Sequence, residues 1–233
     1  MQAQCSASEM SRHVQPVSYL ITSGATSVQT TPSSKEFEDL LKVVTAAVAA
    51  KVSLIQLREK RLSARVLFEL TLQAAEITRK SQTRLLVNDR ADIARTAGAA
   101  GVHLSTRSLS ADVIRRSFGP DFLIGVSTHT IAEACAAREH ADFAVFGPVF
   151  RTESKKNYGA PQGLAKLAEV ARAVAPFPIV ALGGIGLDQL AECREAGAAG
   201  IAGIGIYNLR EALPDIVDMI REVFKGNANF QDF

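Results

Sequence analysis

ALGGIG (181–186) and IAGIGIY (201–207) are apolar runs that each break at glycine, and their reading decides the fold of this chain. They are the last two of eight such runs, and the earlier six also end at clusters of polar residues or glycines. Parallel strands covered on both faces read as unbroken Val/Ile/Leu segments, whereas half-solvated strands alternate. Strands are therefore expected near Val17–Thr22, Ser53–Arg58, Arg84–Asn88, Gly101–Leu104, Leu123–Ser127, Phe143–Phe146, Ile179–Ala181 and Gly200–Ile204. A bare glycine backbone at the ends of the seventh and eighth strands can bring N–H groups against a phosphate oxygen.

Helix-period segments fill the intervals: Glu36–Ala50, Ala64–Lys80, Ser110–Ser117, Ile131–His140, Gly163–Ala175, Leu187–Ala196 and Arg210–Lys225. Alternation of short strand and longer helix argues for a parallel sheet, and eight repeats argue for closure. The expected fold is thus α/β, a single (β/α)₈ TIM barrel over residues 17–225. Polar tails flank it at 1–16 and 226–233. An open, doubly wound sheet is the alternative topology.

Composition sets the class. The 233 residues suit one barrel, and 47% hydrophobic content is enough to fill it and cover it with helices. A formal charge of +2 carries no polyanion footprint, so nucleic acid is not expected as a partner. No apolar stretch reaches the roughly 20 residues that cross a bilayer, and MQAQCSASEMSRH (1–13) has no apolar core of a signal peptide. A cytoplasmic protein without membrane partners is expected. Cys5, Cys135 and Cys193 are odd in number and far apart, with no zinc or disulfide spacing.

Chemistry in such barrels collects at the C-terminal ends of the strands. QLREK (56–60) presents amide, guanidinium and ammonium donors suited to a diphosphate, or else a solvated charge run. VNDR (87–90) offers Asn88 as a hydrogen-bonding amide and Asp89 as a ligand for a hard cation such as Mg²⁺; both are also common helix N-caps. GVSTHT (125–130) sets Ser127 and His129 at the mouth, and histidine is the residue type suited to shuttling a proton at neutral pH; the competing reading is a cap cluster with Thr130 opening the next helix. His103, in GVHL, is expected to pack near the rim with both ring nitrogens satisfied. The longest polar connection, FGPVFRTESKKNYGAPQG (146–163), carries Thr152, Ser154 and Lys155, a phosphate grip unless its lysines are ordinary exposed ones.

In order along the chain, QLREK, LLVNDRADIA (85–94) followed by GAAGVHL (98–104), IGVSTHTIAEA (124–134), ADFAVFGPVFRTESKK (141–156) and PIVALGGI (178–185) resemble the thiamine phosphate synthase/TenI family. The resemblance extends from YLIT (19–22) to IGIY (204–207). It implies an enzyme that joins hydroxymethylpyrimidine diphosphate to thiazole phosphate, releasing diphosphate. Carried over by motif, Gln56, Arg58, Lys60 and Asn88 would hold the pyrimidine diphosphate and Asp89 would bind Mg²⁺. Ser127 and Lys155 would bind the departing diphosphate, while Thr152, Ser154, Gly184, Ile204 and Gly205 would hold the thiazole phosphate. The partners it implies are these small phosphorylated molecules and a second copy in a homodimer.

Two positions depart from the synthase pattern. HLSTRSL (103–109) has Ser108 where synthases carry the aspartate of a GQxD stretch, a second metal ligand. ITSG (21–24) has Ser23 where an acidic residue often follows the threonine. Both resemble the TenI branch, whose members act as thiazole tautomerases; there no Mg²⁺ is required and His129 would be the acid/base. Asp89, which that branch often lacks, is present. Because QLREK, VNDR and TESKK together suit a diphosphate, the synthase reading is preferred. Alternatives are the tautomerase and a silent family member that binds a thiamin precursor and regulates a partner.

Overall fold

A computed structural model describes residues 16–151, 160–208 and 210–225. Eight parallel strands close into a barrel in sequence order: β1 (Val17–Ile21), β2 (Leu54–Leu57), β3 (Arg84–Asn88), β4 (Gly101–Leu104), β5 (Leu123–Thr128), β6 (Phe143–Phe146), β7 (Ile179–Leu182) and β8 (Gly200–Gly203). β8 pairs back onto β1, with Val17 opposite Gly200 and Leu20 opposite Gly203. That closure excludes the open doubly wound sheet. The expected strands match in number and place, with ends differing by one residue at most.

Among the described residues eight α-helices cover the barrel: α1 (Lys35–Ala49), α2 (Ala64–Thr78), α3 (Ala91–Thr96), α4 (Ala111–Phe118), α5 (Ile131–Arg138), α6 (Gly163–Val174), α7 (Leu190–Glu195) and α8 (Leu213–Phe224). Sequence periodicity misses α3. Its six residues make less than two turns, too few for a 3.6-residue pattern to repeat. Single-turn 3₁₀ segments, Leu187–Gln189 and Arg210–Ala212, precede α7 and α8, where the sequence suggests unbroken helices.

Alternation along each strand divides the core into two layers. Tyr19, Leu54, Leu86, Leu123, Phe143, Val145, Val180 and Ala202 fill the barrel interior. Their neighbours Leu20, Ile55, Leu57, Leu85, Ala144 and Ile201 face outward under the helices. Burying such aliphatic side chains contributes about 1.5–3 kcal/mol apiece. Tyr207, just past β8, ties the layers together: its hydroxyl accepts from the Tyr19 N–H at 3.2 Å and donates to the Ile201 carbonyl at 2.9 Å.

Cys135 and Cys193 are free thiols, and burial pushes that of Cys193 up to about 12. No helix among the described residues is long and apolar enough to cross a membrane. Cys5 and the tails apart from Pro16 lie outside the described residues.

Candidate active site at the barrel mouth

Strand alternation places Gln56, Asn88, His103 and Ser127 on the inner face. Gln56 lies at the floor, 1% exposed, with its Nε2 donating to the Tyr19 hydroxyl at 2.8 Å. Arg58 is half-buried above it; its backbone N–H donates to Thr22 Oγ1 at 2.9 Å. Lys60 is exposed. Three strands converge on one buried ring: Ser127 Oγ lies 3.0 Å from His103 Nε2, while Asp89 and Arg58 are close enough to act electrostatically on the same imidazole. Burial is the largest effect there, lowering the His103 pKa to about 4, with Asp89 opposing and Arg58 reinforcing the shift. His103 is therefore neutral at pH 7.

The expectation that both nitrogens of His103 are satisfied is corrected by the structure. Nε2 has Ser127, but Nδ1 is buried with no hydrogen-bond partner among the described residues. Sequence cannot show this, because the orphaned atom depends on how rings from three strands pack.

Asp89 adopts a left-handed backbone, φ 61°, which aspartate tolerates better than most residues. Its Oδ1 accepts from the Ser105 N–H at 3.0 Å and from the Ser108 hydroxyl, and its Oδ2 accepts from Asn88 Nδ2 at 2.7 Å. Burial alone would raise its pKa, but these donors, Ser108 foremost, more than offset that and hold it below the usual carboxylate range. Ser108 thus stands directly against Asp89. Among the described residues no three of His, Cys, Asp and Glu gather as a metal-binding group. One carboxylate with spare acceptor capacity on Oδ2 can still give a hard cation a single ligand, the rest coming from water and a substrate diphosphate.

His129 is half-buried beyond the end of β5. Its Nδ1 lies 2.6 Å from the Gly147 carbonyl, and a carbonyl only accepts, so Nδ1 carries hydrogen and the ring orientation is fixed. Nε2 remains to exchange a proton. The cap expected at Thr130 is also present: its hydroxyl accepts from Glu133 N at 3.1 Å and the Glu133 carboxylate accepts from Thr130 N at 3.2 Å. Cap and candidate acid/base are therefore compatible readings of GVSTHT.

At the ends of β7 and β8 the two candidate phosphate-binding glycines have different reasons to lack a side chain. Gly184 has φ +66°, and a Cβ there would come within 2.3 Å of the Arg151 carbonyl oxygen. The fold demands it. Gly205 has no positive φ, and a Cβ there would meet nothing within 4 Å. It opens a single 3₁₀ turn whose first N–H groups have no partner inside the turn. Ile204 precedes it as the cap. The start and end of the long loop are pinned beside them, with Phe150 N donating to Gly183 O at 2.9 Å and Gln162 N to Pro148 O at 2.8 Å. Thr152, Ser154 and Lys155 lie outside the described residues.

Glu59 was not singled out from sequence, because QLREK reads as a run of cations around it. It lies just past β2, where strand alternation no longer assigns a face, so no local signal marked it. Glu59 is 3% exposed. Its carboxylate accepts from Thr22 Oγ1 at 2.6 Å, Gly24 N at 3.2 Å, Thr26 N at 3.3 Å and Thr26 Oγ1 at 2.7 Å, fastening the β1–α1 loop. Glu59→Gln replaces an acceptor oxygen by an amide facing donors and is expected to cost about 1–3 kcal/mol. Chemical denaturation together with proteolysis of the 24–31 loop checks this; unchanged stability with an intact loop would remove the fastening role.

The family profile described as thiamine monophosphate synthase matches residues 25–206. A thiamine-phosphate synthase from Anaeromyxobacter dehalogenans is 46% identical over 155 residues, 66% of this chain and 69% of that protein. One from Roseiflexus castenholzii is 40% identical over 164 residues, 70% of this chain and 72% of that protein. Among solved structures, a thiamine phosphate pyrophosphorylase from Pyrococcus furiosus superposes with a TM-score of 0.72 at 28% identity, covering 88% of this chain and 95% of that one. With the barrel, the glycine-bearing ends of β7 and β8 and the profile match in agreement, this chain belongs to the thiamine monophosphate synthase family.

Proposed function

We propose that the protein is a thiamine phosphate synthase. It joins the exocyclic methylene of hydroxymethylpyrimidine diphosphate to the nitrogen of thiazole phosphate, giving thiamine phosphate and diphosphate. The observation that carries this reading is the convergence of Arg58, Asp89 and Ser127, from the ends of β2, β3 and β5, on the single ring of His103. A cation, a carboxylate able to ligate a metal, and a hydroxyl donor in one place suit a diphosphate that must leave. The names of the curated relatives favour the synthase over the tautomerase and the regulator.

As the methylene–oxygen bond breaks and the carbon–nitrogen bond forms, negative charge grows on the leaving diphosphate. Arg58, Lys60 and Lys155 neutralise it, and Ser127 donates a hydrogen bond to it. Gln56 and Asn88 hold the pyrimidine against the barrel floor. Gly184, Ile204 and Gly205, with Thr152 and Ser154, hold the thiazole phosphate opposite. Mg²⁺ bound through Asp89 would add positive charge at the same oxygens. His129 Nε2 is available to shuttle a proton at the mouth. The same reading places the protein in the cytoplasm as a homodimer.

Incubating the purified protein with both substrates and Mg²⁺ should yield thiamine phosphate and diphosphate in equal amounts. Metal-independent conversion of the thiazole tautomer alone would instead establish the tautomerase, and ligand binding without either turnover would establish the regulator. In a crystal soaked with thiazole phosphate, the phosphate is expected against the N–H groups near Gly184 and Gly205. Its appearance at the N-terminal face of the barrel would refute that placement.

A further inference from the structure

His103 lies wholly inside the barrel, 4% exposed, in a triangle of rings with Tyr19 and Phe143 at centroid distances of 5.7 and 6.1 Å. Beneath it is Gly125, where an added Cβ would fall 2.8 Å from His103 Nδ1 and 2.3 Å from Phe143 Cζ. Nδ1 therefore points at a bare backbone and the edge of a phenyl ring. It has no hydrogen-bond partner among the described residues. On the other side of the imidazole, Nε2 lies 3.0 Å from Ser127 Oγ.

A neutral imidazole carries one hydrogen, and the two places for it have different consequences. With the hydrogen on Nδ1, a buried N–H would be orphaned against the electropositive rim of Phe143, and Nε2 would take up the only hydrogen of Ser127. With the hydrogen on Nε2, the orphan is a lone pair facing that electropositive rim, which is the better electrostatic match. Nε2–H then donates to Ser127 Oγ, whose own hydrogen is left to point elsewhere. A second proton, on Nδ1, would find no acceptor there among the described residues, so the ring carries one hydrogen.

We propose that His103 is a positioning residue that, as the Nε2–H tautomer, fixes the Ser127 hydroxyl with its hydrogen turned out of the barrel toward the leaving diphosphate. The proposal rests on the synthase reading for the identity of the acceptor, but not for the tautomer. A hydroxyl that accepts from Nε2–H is polarised as a donor, so the pair acts as a short relay of dipoles with no proton transferred. His129 is expected in the opposite state, since its Nδ1 faces the Gly147 carbonyl.

The chain has four histidines, so ¹⁵N-histidine labelling with long-range proton–nitrogen correlation resolves their tautomers at neutral pH. The expected result is Nε2–H for His103 and Nδ1–H for His129; Nδ1–H at His103 overturns the proposal whatever the activity. In turnover, His103→Leu and Ser127→Ala should each reduce kcat about tenfold, with little change in the KM for thiazole phosphate. The double variant should be no worse than either single one. His103→Gln, whose amide can reach Ser127 with an N–H, should recover most of the loss. Additive losses in the double variant, or no rescue by Gln, would overturn the coupling. A wild type that shows the expected tautomer yet forms no thiamine phosphate would defeat the synthase reading and leave the His103–Ser127 geometry standing.

Discussion

Lys155→Ala is expected to lower kcat/KM for thiamine phosphate formation roughly 30- to 1,000-fold, which is about 2–4 kcal/mol of transition-state stabilisation. Diphosphate leaves with more charge than it carries while esterified, and a cation aimed at it gains most as the bond breaks. In the proposed site Arg58 and Lys60 follow the end of β2, and Lys155 belongs to the 146–163 connection after β6, outside the described residues. Loss should fall mainly on kcat, because the charge being stabilised develops during the reaction. Lys156→Ala, one residue on, serves as the control for loss of a neighbouring positive charge and should stay within about twofold of wild type. Lys155→Arg should retain part of the rate, since guanidinium keeps the charge with a different geometry. If Lys155→Ala leaves kcat and KM unchanged, Lys155 has no part in the mechanism.

The barrel was legible because eight doubly covered strands write themselves as apolar runs, and the glycines of 181–186 and 201–207 mark the face where chemistry sits. What sequence missed is short or non-local. α3 has no room to repeat a period. Glu59 hid among cations because its partners, Thr22, Gly24 and Thr26, lie 33 to 37 residues away and are brought in by the β1–β2 pairing. The orphaned Nδ1 of His103 needs Tyr19, Phe143 and Gly125 at once, from three other strands. Ser108 is the converse case. Comparison of motifs alone put it in the place of a metal carboxylate, and in the structure its hydroxyl donates to Asp89.

Asp89→Ala is expected to reduce Mg²⁺-dependent synthesis by more than about 100-fold, because it removes the carboxylate proposed to ligate the ion. It also frees the Ser105 N–H and the Ser108 hydroxyl, so the loop after β4 loses its anchor. His129→Ala should be tolerated better, since diphosphate departure depends on charge stabilisation more than on a proton shuttle; a tautomerase would reverse that order. Ser108→Asp tests the same place from the other side. It exchanges a donor to Asp89 for a second carboxylate, so without metal the two anions repel and the variant should be less stable in chelator by about 1 kcal/mol or more. With Mg²⁺ the pair becomes a two-carboxylate site, and affinity should rise about tenfold or more. Titration with Mn²⁺ in the presence of inorganic diphosphate, followed by its paramagnetic resonance signal, reads this without turnover. Should Ser108→Asp bind the ion no tighter than wild type, position 108 does not face the metal and Asp89 serves only to hold the loop.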